Sequence, residues 1–190
     1  MKRRSSHNRV GSHQEHGATL VETAVVFPLV VLLIFGIAEF GLAFKDWLSI
    51  GHASREAARM VATLGADVQA DFAALNAMVS ALAGADMGNV TGITIRNPDN
   101  PFGESTTYSY NPGPPCDWIP CPDFFAGGSP GAAPYSTPGY QPTSRDVSAP
   151  ATGRVEVIVT FTHQWITGFW GDTSTWTSST IMRLEPSVFE

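Results

Sequence analysis

The chain has 190 residues, 43% of them hydrophobic and only 15% charged, with a formal net charge of −6, which leaves room for one modest folded domain and excludes disorder throughout. The charge is uneven: residues 1–17 carry Lys2, Arg3, Arg4 and Arg9 against Glu15 (+3), residues 18–44 only Glu22 and Glu39 (−2), and residues 45–190 seven basic against 14 acidic groups (−7). A short basic tail ahead of an acidic domain argues against nucleic acid as a partner, because phosphate would repel the larger part of the chain.

From Ala24 to Ala38 the run AVVFPLVVLLIFGIA has no charged or strongly polar residue, and the apolar segment extends over 18–44. As a helix it would reach about 40 Å, enough to cross a hydrocarbon core of about 30 Å. The basic residues before it and the acidic balance after it predict a cytoplasmic N-terminus and an extracytoplasmic domain over 45–190, single-pass in the cytoplasmic membrane. A cleaved secretory signal shares the basic start and apolar run, and Gly41-Leu42-Ala43 would serve as its cut site. Against that reading, Glu22 opens the apolar run, Pro28 lies inside it, and it continues into a patterned helix without a turn-prone break.

A carboxylate such as Glu22 in an apolar stretch costs about 2.5–3.5 kcal/mol at mid-bilayer and less near the interface, where it reaches water. Its context is Gly17-Ala18-Thr19-Leu20-Val21-Glu22 behind a basic leader. A leader ending in Gly, four mostly apolar residues, Glu, then a long apolar helix resembles the type IV pilin-like signal read by a prepilin peptidase. The run GATLVETAVVFPLVVLLIFGIAEFGLAF, the segment SIGHASREAARMVA and the ending SSTIMRLEP together resemble the TadE-like family of tight-adherence pilus pseudopilins. The family often has an aromatic residue after the Glu, where this chain has Thr23. The resemblance implies a cytoplasmic leader 1–17, a cut between Gly17 and Ala18, and Glu22 as the residue that neutralises the new α-amine of a neighbouring subunit. Both charges are costly in lipid unless paired, so an inter-subunit pair would set the axial register of assembly. Arg59 and Arg183 stand where the family usually has Arg, which implies packing or interface roles.

Beyond residue 44 the helix continues as an amphipathic stem, with Ile50, Ala53, Ala57, Met60 and Leu64 on one face and Gly65 as its stop. Val68, Phe72, Leu75, Val79 and Leu82 recur at four-three spacing and predict a second helix over 66–83, ended by Gly84. Strands are predicted over 89–96, 106–110, 154–161 and 176–184, the last reached through the aromatic turn 165–172. The fold class is α+β: a long N-terminal transmembrane helix continuing into the stem, packed on a small antiparallel sheet of three or four strands. Glu39 falls about 25 Å along the helix from Glu22. Pairing with Lys45 or Arg55 of a neighbouring subunit is one reading of it, and solvation at the outer interface is the simpler.

Residues 97–152 hold 12 of the 14 prolines together with eight aromatic residues, and read as a Pro-rich excursion, either a contact surface or a loop without partner. Cys116 and Cys121, the only cysteines, lie within it as CDWIPC. Outside the cytoplasm such a pair is expected to oxidise to a local disulfide; two thiolates without nearby histidine make the alternative, a metal site, short of ligands.

No catalytic motif, phosphate-binding loop or cofactor site stands out, so no cofactor is expected and the chain reads as a non-enzyme. The leading expectation is a minor pilin-like subunit of a tight-adherence (Flp-type) pilus. Its partners would be the prepilin peptidase, other pilin-like subunits, the Tad assembly machinery and membrane lipid. The alternatives are an uncleaved single-pass binding or adhesion module and a secreted hydrolase.

Overall fold

The computed structural model describes residues 14–82, 87–113, 117–122, 125–126, 129–130 and 139–186. The leader up to residue 13, Cys116 and most of the tip of the predicted excursion lie outside them. The chain divides into two compact units, Met1–Gly41 and Leu42–Glu190, and the helix α1 (Gln14–Leu64) enters both, with Pro28 inside it.

In the first unit α1 carries a stretch of apolar side chains that nothing covers. Leu20, Val25, Phe27, Leu29 and Ile37 are all more than 60% exposed. In water this would be an untenable surface, and its natural solvent is hydrocarbon.

In the second unit the face of α1 turned to the core is Ile50, Ala53, Ser54, Ala57, Ala58, Val61 and Ala62. That set includes the predicted Ile50, Ala53 and Ala57, but Met60 and Leu64 sit only at its margin. The run of Ala and Ser decides this: small side chains let the sheet approach the helix closely, and the longer side chains lie beside the seam. Gly65 ends the helix at φ +54°, with a Cβ there falling 2.7 Å from Val147 Cγ1, so both backbone and space require glycine.

The second helix is shorter than its periodicity predicts. Residues 66–69 are a turn in which Asp67 Oδ1 accepts from the Gln69 N–H (2.8 Å), and α2 runs Ala70–Ala81. Local hydrogen bonding by an Asp side chain competes with helix, and it leaves Val68 exposed instead of in the stripe. The buried face is Ala70, Asp71, Ala74, Leu75 and Met78.

After a single 3-10 turn at Met87–Asn89 come β1 (Val90–Arg96), β2 (Ser105–Tyr110), β3 (Trp118–Ile119), and the small pair β4 (Phe125–Ala126) and β5 (Ser129–Pro130). The long hairpin β6 (Arg154–Gln164) and β7 (Thr173–Arg183) follows. The main sheet is antiparallel with order β3-β2-β1-β6-β7. It has five strands because the excursion returns Trp118 and Ile119 to pair with Tyr110 and Ser109. Val155, Val157, Val159 and Phe161 of β6 face the core, as their alternation predicts. The hairpin is longer on both sides than predicted, because its Thr and Ser residues pair in register from Arg154↔Arg183 to Gln164↔Thr173. A single core joins α1, α2 and one face of the sheet.

Candidate functional site

The helix places the predicted processing residues in its first turns. Gly17 and Ala18 are helical, three and four residues in from Gln14. A Cβ added at Gly17 meets nothing within 4 Å, so glycine there serves neither packing nor backbone. Glu22 is exposed and lies in a shallow groove with Thr23, Val26, Phe27 and Val30, all on one face at helical spacing. Thr23 turns its hydroxyl back to the Thr19 carbonyl (2.8 Å), which spares it an unpaired donor in an apolar environment. Glu39 differs from the simpler sequence reading: it is 3% exposed and therefore not solvated. A carboxylate is buried only at a cost that hydrogen bonds or charges must offset.

The other predicted interface residues are at the surface of the second unit. Arg55 and Arg59 project from the stem and are exposed, with Arg55 Nη2 3.4 Å from His52 Nδ1. Arg183 is exposed and opposite Arg154 across the hairpin. Arg154 forks onto Asp99; the hydrogen bond from this guanidinium holds the Asp99 carboxyl below its usual range. Cys121 is half-buried, and its expected pairing with Cys116 falls partly outside the described residues. Among the described residues no group of three or more His, Cys, Asp or Glu comes together to hold a metal.

Sequence reasoning missed the polar contacts that fix the second unit. Ser54 Oγ lies 3.1 Å from Ser178 Oγ and 3.0 Å from Thr180 Oγ1, tying the stem to β7. Deeper, Asp71 of α2 accepts from Tyr108 Oη (2.6 Å) and from Arg145 Nη2, and both charged side chains are fully buried. Arg145 also donates to the carbonyls of Gly65 (3.4 Å) and Tyr140 (3.2 Å) and sits over the Tyr140 ring, 5.0 Å from its centre. Burial pushes the Tyr140 phenol up, and its Oη donates to the Arg154 carbonyl (3.2 Å). This cluster pins the end of the excursion to α2 and β2. Asp71 had a signal in the sequence, a lone carboxylate at helical spacing from Ala74, Leu75 and Met78; Arg145, alone in a Pro-rich stretch, had none.

An exposed apolar helix, long and apolar enough to cross a membrane, joined in sequence to an α+β domain, is consistent with a single-pass membrane anchor. Residues 17–59 match the model of the TadE-like protein family, so the N-terminal segment of the chain is similar to that family, in agreement with its motif. Residues 60–190 lie outside that match. No curated protein and no solved structure matches the chain.

Proposed function

We propose that the chain is a minor, pilin-like (pseudopilin) subunit of a tight-adherence (Flp-type) pilus, acting in initiation, at the tip or in assembly, and without catalytic activity. A prepilin peptidase cuts between Gly17 and Ala18, the N-terminus is cytoplasmic, and residues 45–190 stand outside the cytoplasmic membrane beside other pilin-like subunits and the Tad machinery. The observation that carries this reading is that the family match begins at Gly17, the last residue of the leader the motif defines. The helix that follows, with its apolar side chains bare, supports it.

The test is the N-terminus of protein recovered from membranes, by intact mass and peptide sequencing. A start at Ala18 is expected. A start at Met1 would favour an uncleaved anchored binding module, and a start near Phe44 a secreted domain.

Glu22 supplies a second check. Glu22→Val removes a costly carboxylate from the membrane segment and is expected to leave insertion intact while sharply reducing co-purification of partner subunits. Unchanged recovery of partners would sink the register role. For the excursion, Cys116 and Cys121 are expected to resist alkylation until reductant is added; ready alkylation of both thiols in the untreated protein would exclude the disulfide.

A further inference from the structure

The β6–β7 hairpin ends in Trp165-Ile166-Thr167-Gly168-Phe169-Trp170-Gly171, seven residues without a charge. Ile166 is 75%, Phe169 68% and Trp170 47% exposed. Bare apolar groups at a loop tip call for an occupant, and the packing of the hairpin on α1 says which one. Three contacts fix its direction. His163 Nδ1 meets Asp46 Oδ2 at 2.8 Å, Ser178 and Thr180 meet Ser54 at 3.1 and 3.0 Å, and the Glu185 N–H donates to the Ala62 carbonyl at 2.8 Å. Thus β7 ascends alongside the stem, and the hairpin tip lies on the Leu42 side of Asp46. At that level α1 itself bares Leu42, Phe44 and Trp47, with the Phe44 and Trp47 rings stacked 5.8 Å apart, and the uncharged run 40–44 leads back into the apolar segment.

We propose that the hairpin tip is a second membrane contact: Ile166, Phe169 and Trp170 enter the headgroup layer of the bilayer that α1 crosses, beside Phe44 and Trp47. The proposal rests on the reading of α1 as a membrane anchor. Tryptophan favours this layer because its ring is apolar and its N–H stays wet. The tip is also built to tolerate a poorly hydrated place, since several of its polar groups bond internally. Trp165 N donates to the Asp172 carbonyl (3.0 Å) and Gly171 N to the Gly168 carbonyl (3.2 Å), and Trp165 Nε1 donates to Ser174 Oγ (2.8 Å). Gly168 and Gly171 take φ of 69° and 94°, which makes the turn tight enough for this pairing. Behind the tip, His163 stacks on Trp176 with ring centres 5.0 Å apart and meets Trp165 edge-on at 4.8 Å. The base of the hairpin is thereby held rigidly against the stem.

The experiment uses the full chain in vesicles of phosphatidylethanolamine and phosphatidylglycerol carrying a spin label near the headgroup. An environment-sensitive fluorophore is attached at Phe169→Cys, and separately at Phe102→Cys, both in a Cys116→Ser, Cys121→Ser background. Phe102 is fully exposed and follows β1, whose Arg96 end pairs with Glu156, at the other end of β6 from the tip. The dye at 169 is expected to shift to the blue and lose at least half its emission to the labelled lipid, while the dye at 102 is unaffected. Carbonate extraction of the same vesicles reports on the anchor. Equal emission at both positions in protein that resists carbonate overturns the hairpin contact and leaves the anchor standing. A blue-shifted dye at 169 that the lipid label does not quench overturns it in favour of another copy or another protein. Release of the protein by carbonate overturns both readings.

Discussion

Replacing Asp71 with alanine is expected to cost the second unit about 3–5 kcal/mol, the range for removing one partner of a buried ion pair. Whole domains are stable by only about 5–15 kcal/mol, so this single change would leave the fold near its limit. The cause lies less in the lost attraction than in what remains: Arg145 is fully buried, and its charge would be left with two carbonyls and an aromatic face. Tyr108 Oη would lose its acceptor at the same time. Urea unfolding of the detergent-solubilised chain, followed by near-ultraviolet circular dichroism, reads the effect. Asp71→Ala combined with Arg145→Leu removes the orphaned charge and is expected to recover a good part of the loss. A single variant that unfolds within about 1 kcal/mol of the parent, or a double variant worse than the single, would show that the pair does not anchor the excursion.

The second large effect concerns processing. On the proposed processing, Gly17→Trp is expected to abolish the cut and leave full-length protein in the membrane, because it puts a bulky ring where the pilin-like motif has glycine. The surroundings of Gly17 make this a clean measurement. Nothing lies within 4 Å of a Cβ there, so a side chain leaves the helix at this position without a clash at its first carbon. The proposed cut site lies in the first turns of α1, where helices fray at little cost. Accumulation of a protein starting at Ala18 from the Gly17→Trp gene would separate this chain from the pilin-like substrates that its motif resembles.

The N-terminal half was legible because its signals are linear. An apolar run of membrane length, a glycine and a carboxylate at fixed spacing, and a stop at Gly65 all act over a few residues, and the α+β class followed from the alternation at Val155–Phe161. What escaped depends on partners distant in sequence. Whether Met60 or Ala58 faces the core is set by how closely β7 approaches. Trp118 joins the sheet only because β2 presents an open edge to it. The Asp71–Arg145 pair spans 74 positions, and no local pattern around Arg145 announces it. The second helix failed for a local reason that the periodicity concealed, since Asp67 makes a turn where the apolar stripe seemed continuous.

The clasp between Ser54 and the hydroxyls of Ser178 and Thr180 joins positions separated by 124 and 126 residues. An element near the start of the domain is therefore completed by a strand that comes more than 120 residues later, so the side of the stem at Ser54 is closed only once that strand has been made. Contacts of such long separation form slowly, because loop closure must precede any gain. In a chain threaded through a membrane, the side of the stem around Ser54 would wait unclasped until β7 arrived, a window in which a chaperone or a sister subunit can bind it and a protease can reach it.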